Sequence, residues 1–211
     1  MSKLVWNTNG DRYYETGIDK GVFYPPLESG IAWNGLISVT ETAENAGVKS
    51  FYLEGIKYLE VANNEEFSGS IEAYYPPQGF YRFDGTYNVG NSLFITQQPK
   101  RSFGFSYRTK VGNDTIGENY SYKIHLVYNL LAISGDKTYK TLADSPETLI
   151  HNWSFTTVPE LIEGLRPAAH LIVTPAKPTF IAAVEEILYG TASTQPRLPS
   201  PAELLELNRT T

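Results

Sequence analysis

The feature that most constrains this chain is strict alternation on either side of a glycine-bounded loop. Phe103, Phe105, Tyr107 and Val111 fall on one side of an extended backbone, with Ser106, Arg108 and Lys110 on the other. Across residues 120–128 the apolar set is Tyr120, Tyr122, Ile124, Leu126 and Tyr128. Side chains two apart share a face in a strand, so both stretches predict strands with one buried face. Between them, Gly112-Asn113-Asp114-Thr115-Ile116-Gly117 supplies the turn residues of a hairpin tip. Pairing about the centre of that loop places Arg108 near Lys123.

The same period recurs elsewhere. Leu149, His151, Trp153 and Phe155 alternate with Asn152, Ser154 and Thr156, and Phe67, Ile71, Ala73 and Tyr75 alternate with Ser68, Ser70 and Glu72. Weaker strand patterns cover 36–42, 50–54, 56–62, 93–98 and 168–174. Helical spacing is scarce. Phe180, Ile181, Val184, Ile187 and Leu188 trace one stripe over 179–189, with Pro178 at the first position and Gly190 as the C-terminal cap. Ser200, Pro201 and Glu203 have the spacing of a capping box and predict a second, short helix. The expected fold is therefore mainly β, a β-sandwich or partly open barrel with a flanking α-helix and extended N- and C-terminal arms.

Three parts follow. Residues 1–34 form an irregular arm, 35–190 the β-domain with its helix, and 191–211 a proline-rich arm ending in the short helix. The first arm carries Trp6, Tyr13, Tyr14, Phe23, Tyr24 and Trp33 without sustained periodicity. Large aromatics on an irregular segment must pack on something, and interface cores are enriched in them. These six are expected at a subunit interface. Removing residues 1–34 is expected to leave a folded domain that cannot assemble.

Composition excludes several chemistries. With no cysteine there is no disulfide, thiol nucleophile, cysteine-based zinc site or iron–sulfur cluster. That usage fits a reducing compartment. A net charge of −6 disfavours a tight grip on nucleic-acid phosphates. No run approaches the ~18 apolar residues of a membrane span, and the first residues lack the apolar stretch of a signal peptide. The expectation is a soluble protein.

No catalytic constellation stands out. A nucleophilic serine needs a sharp turn such as G-x-S-x-G, and the nearest string, Gly104-Phe105-Ser106-Tyr107-Arg108, lies inside a strand. His125, His151 and His170 are spaced too widely to share one element, so hydrogen-bonded strand histidines are expected rather than a base or metal site. Glu185 and Glu186 splay apart on the helix, and Asp114 and Asp136 sit in turns. Phosphate-cradling glycine loops are missing. The expectation is a non-enzyme with no cofactor and no metal. Lys100, Arg101, Arg108, Lys110 and Lys123 concentrate positive charge. Either this is a solvated face neutralised by Glu118 and Glu72, or it meets an acidic surface of another subunit. The aromatic share, 13%, has two readings as well. Exposed rings could stack on sugars in a monomeric carbohydrate-binding or adhesion module, or they are core and contact residues.

Over residues 14–199 the chain resembles the major tail tube proteins of long-tailed, siphovirus-type phages, in the form common in phages of actinobacteria. The likeness is carried by Tyr14-Glu15-Thr16-Gly17, Ala32-Trp33-Asn34-Gly35-Leu36, Gly55-Ile56-Lys57-Tyr58 and Thr96-Gln97-Gln98-Pro99. It continues through Phe105-Ser106-Tyr107-Arg108-Thr109, Gly112-Asn113-Asp114 and Tyr122-Lys123-Ile124-His125-Leu126-Val127-Tyr128. It closes with Ser145-Pro146-Glu147, Leu188-Tyr189-Gly190 and Pro196-Arg197-Leu198-Pro199. Residues after Leu205 share nothing with that pattern.

The resemblance implies a structural virion protein assembled in the host cytoplasm, with six copies per ring and rings stacked into a hollow tube. Viral DNA would pass through the lumen without tight binding. A tape-measure protein would fill it beforehand, and tail-terminus and baseplate proteins would meet its ends. A head-to-tail contact gives both closed rings and open stacks, and closing strands around a lumen removes exposed sheet edges. In such an assembly Arg108, Lys110, Lys123 and Arg197 join the six arm aromatics as expected interface residues. The resemblance carries no catalytic residues.

Overall fold

The architecture was determined as a computed structural model that describes residues 3–44, 47–62, 66–90, 92–141 and 148–211. The strands are β1 (Tyr13–Tyr24), β2 (Ile31–Ala32), β3 (Leu36–Glu44), β4 (Val48–Leu53), β5 (Ile56–Ala62), β6 (Glu66–Ala73), β7 (Tyr87–Val89), β8 (Leu93–Ile95), β9 (Phe103–Asn113), β10 (Gly117–Ser134), β11 (His151–Thr157) and β12 (His170–Val173). Two helices follow, α1 (Pro178–Tyr189) and α2 (Pro201–Thr210). The stretch Ser145-Pro146-Glu147 lies outside the described residues.

One antiparallel sheet dominates, in the order β2-β1-β9-β10-β11-β6-β3, with β12 pairing the N-terminal half of β10. Strands at opposite ends of that order contribute to one core. Phe23 of β1, Phe105 and Tyr107 of β9, Trp153 and Phe155 of β11 and Ile71 of β6 are all buried there, with Val39 of β3 packed against them. The sheet must therefore curl around its own inner face. Among the described residues no ladder joins its two ends, so the barrel stays partly open, as the strand pattern predicted.

A second apolar layer covers the outer face. Val22, Tyr24, Ile124, Leu126, Tyr128 and Val173 meet Ile181, Val184 and Leu188 of α1 and Leu204 of α2. The long strand β10 is thus buried on both sides, which is why Ile124, Leu126 and Val127 all have no exposed surface. Asn129, at φ 48°, sits in a bulge between Val127 and Leu130 that lets both face the inner core. The helix caps follow the sequence: Pro178 opens α1, Gly190 closes it at φ 75°, and Ser200 Oγ accepts from the Glu203 amide at 3.2 Å.

The first arm is not an arm. β1 lies inside the sheet, and Phe23, Tyr24 and Trp33 are buried within the chain rather than awaiting a neighbour. The alternation was hidden by two irregularities in its ladder with β9, between Thr16 and Ile18 and between Asp19 and Val22. Gly17 and Lys20 take positive φ at these points, and each extra residue resets the period of two. Deleting residues 1–34 would remove the strand that covers β9 and three buried aromatics, so the expectation of a folded remainder is corrected. The C-terminal segment also docks on its own domain: Tyr128 Oη donates to the Pro199 carbonyl at 3.0 Å, and Leu204 is buried.

Candidate subunit-contact surfaces

The residues expected at an interface divide into three groups. Trp6, Tyr13 and Tyr14 are exposed, and the Tyr13 ring lies 5.3 Å from that of Tyr120. Phe23, Tyr24 and Trp33 are internal. Tyr24 Oη lies 3.1 Å from Ser106 Oγ and donates to the Leu188 carbonyl at 3.0 Å, tying β1 and β9 to the end of α1. Burial pushes its phenol well above the ordinary tyrosine value.

The four cations form the third group, and each meets a carboxylate of its own chain. Arg108 makes a two-pronged contact with Asp19, Nε to Oδ1 at 2.6 Å and the terminal nitrogen to Oδ2 at 2.7 Å, with Tyr122 beneath the guanidinium at 4.8 Å. Those hydrogen bonds hold the Asp19 carboxyl below its usual range. Lys110 reaches Glu118 at 3.7 Å, Lys123 pairs with Glu15, and Arg197 donates to Glu203 at 2.7 Å. These four charges are neutralised within the chain. Glu72 takes no part, because it accepts from Ser38 at 2.9 Å and Asn152 at 3.1 Å. Arg108 does not face Lys123 either. The irregularity between Gly117 and Ser121 sets Arg108 opposite Ile124 and Lys123 opposite Thr109, and a one-residue slip puts the two cations on opposite faces.

A surface that the sequence reading did not single out is the hairpin β4–β5. Its two-residue turn, Glu54-Gly55 at φ 51° and 79°, matches a primed hairpin turn. The ladders β3–β6 and β4–β5 share one register, with Glu44 opposite Glu66 and Val48 opposite Ala62. Among the described residues, β4 and β5 join no further strand. Reading the register outward, Phe51, Leu53, Ile56, Leu59 and Val61 occupy one face, whereas Ser50, Tyr52, Lys57 and Glu60 occupy the other. Glu60 accepts from both Ser50 and Lys57 on that polar side. The five apolar residues are 43–73% exposed. An isolated two-stranded ribbon is marginal in water, and this one leaves its apolar face open.

The histidines end in different places. His151 stacks on Trp153 at 5.5 Å, and burial lowers its pKa. His125 and His170, far apart in sequence, meet because β12 pairs with β10. Nδ1 of His125 lies 3.1 Å from Nε2 of His170 and 3.1 Å from the carboxylate of Glu41 on β3. Their ligand atoms lie within 4.8 Å of one another. Tyr107 donates to Glu41 and stacks on His125 at 4.6 Å, while Phe67 stacks on His170 at 4.4 Å. Burial lowers His170 to about 4, and the hydrogen bond from His125 leads the effects that lower Glu41 to about 2.

No protein-family model matches the chain, and no curated protein matches it. Among solved structures it is similar to a chain of one described as the cryo-EM structure of the anti-feeding prophage (AFP) baseplate, 6-fold symmetrised. The identity is 12% and the TM-score 0.35, over 84% of this chain and 100% of that one.

Proposed function

We propose that the chain is a structural protein of a phage tail, the subunit whose copies join into rings, six to a ring, stacked as the hollow tube that viral DNA traverses. It acts by assembly rather than catalysis, takes no cofactor for that role, and meets a tape-measure protein within the tube and terminal proteins at its ends. The observation that carries this reading is the apolar face of β4–β5, to which no other strand or helix among the described residues pairs. A second copy supplies the missing cover. The curled sheet, ending at β2 and β3 without closing, leaves edges that copies in a ring would pair. The sequence resemblance over residues 14–199 supports the specific identity.

The test is electron microscopy of the purified chain at high concentration, wild type beside a Phe51→Ser, Leu59→Ser variant. Phe51 and Leu59 are 44% and 49% exposed, so covering the remainder stabilises a contact by about 1 kcal/mol each. Their loss is expected to raise the critical concentration for assembly about 30-fold and leave the monomer folded. A wild-type chain that stays monomeric and binds polysaccharide overturns the proposal in favour of a carbohydrate-binding module.

A further inference from the structure

The cluster of Glu41, His125 and His170 brings three metal-ligating atoms within 4.8 Å of one another. The Thr109 hydroxyl lies 2.6 Å from a Glu15 carboxylate oxygen, which can only accept, so its single proton is directed there. Thr109 Oγ1 is then left to accept from Nε2 of His125, 3.1 Å away. In the tautomer protonated on Nε2, His125 gives up its hydrogen bond to Glu41 and turns a free lone pair of Nδ1 into the cluster. That lone pair faces the Glu41 carboxylate and Nε2 of His170, both at 3.1 Å.

We propose that Glu41, His125 and His170 bind a divalent first-row transition ion, zinc being the type, with its fourth position open. Two imidazoles and one carboxylate are a ligand set such ions take. Bonds of about 2.0–2.1 Å in a tetrahedral shell separate ligand atoms by roughly 3.3 Å, close to the 3.1 Å from His125 to each of the other two, which themselves lie within 4.8 Å of each other. The surroundings are those of a built site. Thr109 and Glu15 orient His125 through its second nitrogen, Tyr107 fixes Glu41, and the Tyr107 and Phe67 rings hold both imidazoles in place. His125 is buried and Glu41 is reachable from solvent, which gives an ion a way in. The ion would join β3 to the paired strands β10 and β12, with which β3 shares no ladder among the described residues. The proposal stands on this geometry alone and is independent of tube assembly.

The full chain, stripped with chelator, is titrated with Zn²⁺ by calorimetry and with Co²⁺ by visible absorption. One equivalent should bind, Co²⁺ should develop a d–d band, and Zn²⁺ should raise the melting temperature. His170→Gln and Glu41→Gln should each weaken binding at least tenfold while the apo protein keeps its wild-type circular dichroism. His151→Gln should bind as wild type does. The alternative is a proton in place of the ion. Absence of binding, or binding that survives both His170→Gln and Glu41→Gln, overturns the proposal. So does an NMR spectrum in which His125 keeps both ring protons at saturating Zn²⁺.

Discussion

Replacing Trp33 by alanine separates core from contact within the first 34 residues. Trp33 is 3% exposed, and its ring centroid lies 5.0 Å from Phe80, 5.5 Å from Phe105, 5.7 Å from Trp153 and 6.5 Å from Phe23. Truncating a buried tryptophan costs about 3–5 kcal/mol through lost burial and the cavity left behind. One detail pulls the figure down. The indole Nε1 is buried without a hydrogen-bond partner, a penalty of about 1–3 kcal/mol that the variant no longer carries. A net loss of about 3 kcal/mol is expected, a large part of the roughly 5–15 kcal/mol that holds a domain folded. At about 2–4 °C per kcal/mol for a chain of this size, the melting temperature should fall by roughly 6–12 °C. Urea unfolding of Trp33→Ala and Trp6→Ala, followed by circular dichroism, makes the comparison. Trp6 is 73% exposed, and its variant should stay within about 0.5 kcal/mol of wild type. Equal stability for the two variants would refute the assignment of Trp33 to the core and restore an arm of contact residues.

Further expectations follow from particular contacts. Asp19→Asn should cost about 1 kcal/mol at neutral pH, since the pair with Arg108 is only partly screened from water. The folded carboxyl is depressed, so its contribution is present above the unfolded value near pH ~4 and is lost as pH falls through the folded one. Acid titration of stability should narrow the gap between wild type and Asp19→Asn from about pH 4 downwards and close it below the depressed folded value; a gap that does not narrow as pH falls counts against the pair. Tyr24→Phe should lose about 1 kcal/mol, because Ser106 and the Leu188 carbonyl lose their buried partner. Gly69→Ala should destabilise severely, as a Cβ there would meet the Thr40 carbonyl oxygen at 2.0 Å and the Phe155 ring at 2.7 Å. A melting temperature within a degree of wild type would show that the β3–β6 ladder is looser than described.

What could be read from the sequence was what repeats at fixed spacing. The inner face of β9, the pairing of Trp153 and Phe155, the stripe of α1 and the Ser200 cap were legible because each rests on local periodicity or a short capping signal. β1 escaped because Gly17 and Lys20 interrupt its alternation and split its ladder with β9 into three short stretches, each offset from the last. The aromatics there then looked unpartnered. The hairpin β4–β5 was visible as two strands, but its uncovered face depends on what fails to pack against it, which no local pattern encodes. Alternation of Phe51, Leu53, Leu59 and Val61 was available as a signal. The meeting of Glu41, His125 and His170 comes from three strands separated by long stretches of chain, so only the sheet order reveals it.

The central claim is that the apolar face of β4–β5 is covered by another copy. Because the chain has no cysteine, a single Phe51→Cys substitution places one thiol on that face. Its reaction rate with a maleimide is to be measured in dilute monomer and in concentrated, pelleted assemblies. The account predicts rapid labelling in the monomer and at least tenfold protection in the assembly, with a Leu27→Cys control on an exposed loop labelled at similar rates in both. Equal labelling of Phe51→Cys in the two states would contradict it.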